Sequence, residues 1–162
     1  MLERAVVNSG PLVALSILGQ LDLLPALYAE CWVPETVFNE VAVAGIGKPG
    51  ATSLLSADWQ ARVRTGPLPD PLLVMELDPG EAEVIGLARL LSPCLAIIDE
   101  RRGRRIAQRV YDLPVKGTAG ILVEAHRRGF ISNVRPRLLE LRAAGYFIAD
   151  SVIDAACKAA GE

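Results

Sequence analysis

The stretch "CLAIIDERRGRRIA", Cys94 to Ala107, decides how the rest of the chain is read. It opens on an unbroken apolar run without the polar alternation of a half-solvated strand. That is the pattern of a strand buried on both faces of a parallel sheet. The run stops abruptly at Asp99, and the arginine-rich segment after it returns as a helix with Ile106, Ala107 and Val110 on its inner face. The same logic stands near the N-terminus in "RAVVNSGPL", Arg4 to Leu12. There a short β-branched run ends at Asn8, and Gly10-Pro11 fits a turn with proline at the first helical position.

Working outward, Leu12, Leu15, Ile17 and Leu18 have helical spacing, and "LDLLPALYAE" predicts a second short helix. "CWVP" predicts a strand, with Pro34 opening the helix "PETVFNEVAVA". "GIGKPG" and "TGPLPDPLL" read as loops. "DPGEAEVIGLARLL", from Asp78, has a proline at its start, acids in the first turn and helical apolar spacing, so a helix is expected. After "LPV" comes the helix "TAGILVEAHRRG". The remainder, "RPRLLELRAAGYFIADSVIDAACKAAGE", predicts a helix, a break at Gly-Tyr-Phe-Ile and a capped helix starting near Asp150 or Ser151, with no catalytic constellation of its own. The alternation of strand and helix gives an α/β class with a parallel sheet covered on both faces.

A chain of 162 residues is the size of one ordinary domain. At 51% hydrophobic and 22% charged its composition is globular, and with only 5% aromatics the core must be aliphatic. A net charge of -2 argues against a surface that is basic throughout, so any nucleic-acid site must be a local patch. Cys31, Cys94 and Cys157 are odd in number and far apart, which disfavours a disulfide framework or thiolate metal site. The apolar stretch from Pro11 to Leu27 is interrupted by Gln20, Asp22 and Pro25 and reads as core helix, with no export signal, so a cytoplasmic location is expected.

In an open parallel sheet, functional groups collect outside the carboxyl ends of the strands. Asn8 and Asp99 fall there, and Glu40 and Glu81 lie on helices that can lean over the same edge. Convergent carboxylates repel one another and lose hydration, which a divalent cation relieves, and hard oxygen donors suit magnesium or manganese. Taken singly, Glu40 and Glu81 also suit solvated helix acids. Arg101, Arg102, Arg104, Arg105 and Arg109 form the one basic patch, with Arg101, Arg105 and Arg109 on a shared helical face. Arginines at a helix N-terminus oppose its dipole, so either phosphate binding or pairing with Asp99, Glu100 and Asp112 accounts for them. "GIGKPG" lacks the residues of a phosphate-binding Walker loop. His126 reads as a surface residue, and Trp32 and Trp59 as packing residues.

The set "VVNSGPL", "VPETVFNEV", "LDPGEAEVIGLA", "IIDERRGRRIA" and "LRAAGYFIADSVIDAACKAAGE" resembles PIN-domain proteins, and within them a bacterial and archaeal subgroup similar to VapC-type toxins. The resemblance spans nearly the whole chain. It implies a three-layer α/β/α fold with a mostly parallel sheet as a single domain over 1–162, the core in about 1–131 and a helical extension in about 132–162. It also implies a Mg2+- or Mn2+-dependent endoribonuclease acting on RNA, usually a homodimer held inactive by a small antitoxin protein. Residue by residue, the resemblance assigns the metal to Asn8, Glu40, Glu81 and Asp99, with Asp99, Glu81 and Glu40 catalytic. Ser9 and Glu100 become auxiliary, and Glu83 competes with Glu81 for the helical acid. Apart from the resemblance, the arginine-rich helix is itself expected to hold RNA phosphates through Arg101, Arg102, Arg105 and Arg109. The chain departs from the family at Asn8, where an aspartate is usual. Three readings stay open: a weakened nuclease, a nuclease with Asn8 as a neutral ligand, and a catalytically silent RNA- or antitoxin-binding module.

Overall fold

The computed structural model describes residues 2–162. The strand β1 (Arg4–Val7) forms the middle of a five-stranded sheet, because Ala5, Val6 and Val7 are wholly buried and need cover on both faces. On one side it pairs with β2 (Glu30–Pro34), which pairs with β3 (Val63–Arg64). On the other it pairs with β4 (Leu95–Ile97), which pairs with β5 (Val115–Lys116). All four pairings are parallel, in the order β3-β2-β1-β4-β5. The chain thus winds outward from β1 in one direction and then in the other, and the reversal falls between β1 and β4, where α/β proteins bind ligands.

Helices cover both faces, giving the three-layer α/β/α arrangement of a PIN-like fold. One group is built on α7 (Pro79–Leu90), which lies across β1, β2 and β4, with α3 (Glu35–Phe38) against it. Nearly every residue of α7 from Gly80 to Ala88 is buried, as expected of a helix pressed on a sheet and flanked by others. The other group gathers on α9 (Thr118–Arg127): α1 (Ser9–Ile17), α2 (Leu23–Leu27) and α11 (Asp150–Ala160), with α10 (Arg135–Ala143) packed on α11. The arginine-rich α8 (Arg101–Arg109) packs on β5. The core is aliphatic, with Leu12, Leu15, Leu24, Ile85, Leu87, Ile97, Ile98, Ile121 and Leu122 fully buried. Cys31, Cys94 and Cys157 are buried free thiols within it, and burial pushes Cys31 up to about 12 and Cys94 to about 11. Among the described residues no helix is long and apolar enough to cross a membrane.

Several local expectations need correction. The helix opening at Pro34 widens after Phe38 into a π turn over Asn39–Val43. The segment read as the loop "TGPLPDPLL" ends inside a helix, α6 (Pro71–Glu76), which Pro71 starts from the first helical position. Two single-turn helices, α4 (Ala51–Leu54) and α5 (Ala57–Gln60), precede β3. The last helix begins at Asp150, after Ala149, with no side-chain cap. His126 is half-buried, its Nδ1 lying 3.3 Å from the Ile131 carbonyl.

Candidate functional site

Asn8 ends β1 at the winding reversal. Its N–H extends the ladder by donating to the Ile97 carbonyl at 3.0 Å, which sets it beside the end of β4, two residues before Asp99. The side chain is buried, 4% exposed, and its Oδ1 has no hydrogen-bond partner. A buried amide oxygen without a donor costs about 1–3 kcal/mol. Among the described residues three other buried side-chain polar atoms lack partners, Tyr28 Oη, Trp32 Nε1 and Arg62 Nε, and these lie on or beside β2 and β3. Of the four, only Asn8 stands at the ends of β1 and β4.

Glu81 reaches the same edge from the first turn of α7, a position fixed by Asp78, whose Oδ1 accepts the Glu81 N–H at 2.8 Å and caps the helix. Glu81 is 9% exposed. Burial first, then the hydrogen bond and charge of Asp78, then the charges of Glu100 and Glu40 push its carboxyl up to about 8. Glu83, the competing helical acid, faces α3 instead: its carboxylate accepts from Thr36 Oγ1 at 2.6 Å and Thr36 N–H at 3.4 Å. The structure therefore brings Glu81 together with Glu40 and Glu100 and leaves Glu83 as a tie between two helices.

Asp99 is occupied differently. Its Oδ1 accepts the Thr118 N–H at 2.7 Å and its Oδ2 accepts the Thr118 hydroxyl at 2.6 Å, so the carboxylate caps the N-terminus of α9. The Tyr146 hydroxyl also donates to Oδ2. That contact corrects the reading of the C-terminal part as free of site residues: Tyr146, in the break between α10 and α11, sits on the acid that ends β4. Ser9 is the first residue of α1 and half-buried, making no hydrogen bond to these acids.

Glycines shape the site in a way the sequence reading missed. A Cβ on Gly80 would stand 2.9 Å from Glu40 Oε1, on Gly103 2.7 Å from Glu81 Oε2, and on Gly117 2.7 Å from Asp99 Oδ1. Each of the three carboxylates thus lies against a glycine at the start of a helix. Gly117 has extended backbone open to any residue, so space, not conformation, requires glycine there. For Gly80 and Gly103 the signal in the sequence was a glycine inside the first turn of a helix, where it is about 0.5–1 kcal/mol worse than alanine; Gly117, at the N-cap of α9, gave none.

Whether these residues suit a divalent cation rests on two observations. The orphaned Asn8 Oδ1 is a hard donor in need of a partner, and Glu81, raised first by burial and then by Asp78, Glu100 and Glu40, is a carboxyl whose ionised form a cation would favour. The donor chemistry fits magnesium or manganese. Among the described residues, however, no three of His, Cys, Asp and Glu stand around one point ready to hold an ion, and Asp99 is turned to Thr118 and Tyr146.

The basic patch divides in two. Arg102 pairs with Glu76 of α6. Arg101, Arg104, Arg105 and Arg109 line a groove of about 1220 Å³ that begins at Gly10, Asp99 and Glu100 and runs between α8, α9 and the tail. Arg104, left out of the expected phosphate contacts, is therefore on the groove, and Arg102 is not among its lining residues.

With a parallel sheet wound both ways from β1 and acids at the ends of its strands, the comparison with known families is decisive for the fold. A family profile described as PIN domain matches residues 4–162, and the chain belongs to the PIN-domain family, whose members are generally nucleases. No curated protein and no solved structure matches the chain.

Proposed function

We propose that this PIN-domain protein is a metal-dependent endoribonuclease, the toxin half of a toxin-antitoxin pair. The observation that carries the reading is the unpartnered Asn8 Oδ1 at the end of β1, with Glu81 buried at the start of α7 and raised first by that burial and then by Asp78, Glu100 and Glu40, in a fold family of nucleases. Asn8, Glu40, Glu81 and Asp99 would hold the Mg2+ or Mn2+, with Ser9 and Glu100 auxiliary. When bound, such an ion supplies an acidified water and a positive charge for the departing oxygen of a phosphodiester. Asn8 contributes an oxygen without charge, so affinity for the ion is expected to fall below that of a chain with aspartate there. Arg101, Arg105 and Arg109 orient the phosphate backbone. The proposal includes the cytoplasm as its location, a homodimer as its assembly, and a small antitoxin protein as the partner that silences it.

A second reading, a catalytically silent binding module for RNA or antitoxin, is favoured by the closed set of hydrogen bonds around Asp99 and by the neutral Asn8. One experiment separates the two: manganese-dependent cleavage of a structured-RNA pool by native protein, Asn8→Asp and Asp99→Asn, each with an EDTA control. Cleavage by the native protein that Asp99→Asn abolishes supports the enzyme. Cleavage by Asn8→Asp alone supports the silent module, and unchanged cleavage by Asp99→Asn removes Asp99 from the site.

A further inference from the structure

Asp99 has little room left for a ligand. A carboxylate offers about four acceptor positions, two on each oxygen. On Asp99 Oδ2 both are filled, by the hydroxyls of Thr118 and Tyr146, and on Oδ1 one is filled by the Thr118 N–H. The spot a Gly117 Cβ would take lies 2.7 Å from Oδ1 and 3.2 Å from Arg104 Nη1, so a positive charge already stands near the fourth position. The two residues that occupy Asp99 are unlike. Thr118 opens α9, is 3% exposed and meets Asp99 through two hydrogen bonds, so the fold fixes it and the cap of α9 is complete with Thr118 alone. Tyr146 comes from the break between α10 and α11, after Gly145 at φ 93° and before the exposed Phe147. Its hydroxyl enters a slot left by a missing side chain: a Cβ on Gly10 would stand 3.0 Å from Tyr146 Oη and 3.6 Å from Asp99 Oδ2. Gly10 is two residues past Asn8, so this slot lies beside the end of β1.

We infer that Tyr146 is a latch on the candidate metal site: its hydroxyl closes Asp99 Oδ2 to a divalent cation, and the latch and the cation exclude each other there. The inference rests on the metal-binding reading given above and adds what regulates the filling of that site. Release of the phenol leaves Asp99 bonded to Thr118 and frees one acceptor position on the oxygen nearer Gly10 and the end of β1. The segment that carries the latch has the means to shift. It is neither helix nor strand, and Gly145 combines a left-handed backbone with open space around the position of a Cβ. Two features set Tyr146 apart from a simple structural tie. The α9 cap does not need a third donor, and the phenol reaches its slot only because residue 10 lacks a side chain. A latch of this kind sets the cation concentration at which the site fills.

The test is the binding of Mn2+ alone to the full chain at one temperature, read from the electron paramagnetic resonance signal of the free ion. Native protein, Tyr146→Phe, Asn8→Asp and the double variant of the two are compared. Tyr146→Phe keeps the ring and removes only the hydroxyl. It should bind Mn2+ roughly tenfold to hundredfold more tightly than its parent in either background, the range that a hydrogen bond to a charged group spans. A second measurement follows the latch in the native sequence. Protein labelled with 13C at tyrosine Cζ is titrated with Mg2+, and one of its three tyrosine signals should move to the position of a solvent-exposed phenol. Its loss in Tyr146→Phe, or its persistence in Tyr28→Phe and Tyr111→Phe, identifies it as Tyr146. Equal or weaker Mn2+ binding by Tyr146→Phe overturns the latch, and so does a Tyr146 signal that stays in place at saturating Mg2+. Native protein that binds as tightly as Tyr146→Phe and cuts RNA loses the latch and keeps the nuclease reading. Tighter binding by Tyr146→Phe, with no variant that cuts, keeps the latch and removes the nuclease reading. Binding by none of the four proteins overturns both.

Discussion

Three carboxylates resting on three glycines make single atoms decisive at this site. Gly103→Ala adds a methyl group 2.7 Å from Glu81 Oε2 and 3.2 Å from the buried Ile98 Cγ2. Alanine gains about 0.5–1 kcal/mol of helix propensity over glycine, against a crowding cost of about 1–3 kcal/mol, so a net loss of stability is expected. In the double variant with Glu81→Ala much of that loss should return, and thermal melts of the four-member cycle measure the coupling. Glu81 also carries a pH dependence. Its folded-state carboxyl is raised to about 8 from an ordinary 4.5, so the folded protein resists its ionisation. Stability from the neutral form is fully present below the unfolded value and is lost as pH rises through the folded one. Glu81→Gln, which stays neutral, should flatten the melting temperature across that window and exceed the metal-free native protein at about pH 9. A native profile that does not fall between those values would show that Glu81 is not crowded.

At the scale of elements, α10 and α11 are joined by a carboxylate. Gly161 adopts a left-handed conformation, φ 79°, that ends α11 and returns Glu162 toward the start of α10, where its side chain accepts the N–H groups of Val134 at 2.6 Å and Arg135 at 3.0 Å. Those bonds hold the Glu162 carboxyl below its ordinary value. A depressed carboxyl adds stability that is present above the unfolded value and lost as pH falls through the folded one, so Glu162→Gln should cost stability at neutral pH and nothing in acid. Amide exchange at Val134 and Arg135, faster in the variant, checks it. These terminal ties were not legible in the sequence, where Glu162 is one acid at the end of a helix. What was legible had either periodicity and length, as in α7 and α9, or an apolar run cut off at an acid, as in the stretch that holds the three-residue β4. The single-turn α4 and α5 and the two-residue β3 have neither a period nor an unbroken apolar run to announce them. The candidate site divides the same way. Asn8 and Asp99 were visible because each interrupts a strand, while Glu40 and Glu81 stood out only as acids on helices able to lean over the same edge. Tyr146 was not, since 47 positions separate it from the acid it touches and nothing in "GYFI" marks a hydroxyl bound for another layer.

For the whole molecule, the sheet order places β1 and β4 side by side at the winding reversal, so one edge collects side chains from residue 8 to residue 146. A cation bound there would join elements from most of the chain and stabilise the folded state by mass action, by about 2.7 kcal/mol at a hundredfold excess over its Kd. Millimolar manganese is therefore expected to raise the melting temperature of the native protein, more so in Asn8→Asp and not at all in the double variant Glu81→Gln, Asp99→Asn. No rise in any of them would favour the silent binding module. The aliphatic core has a use of another kind. Because Cys31, Cys94 and Cys157 are all enclosed and held as neutral thiols, maleimide chemistry on the folded protein has nothing native to attack. A cysteine introduced on the surface would be the sole reactive handle, and one dye or spin label could report on the groove without first stripping the chain of its own sulfur.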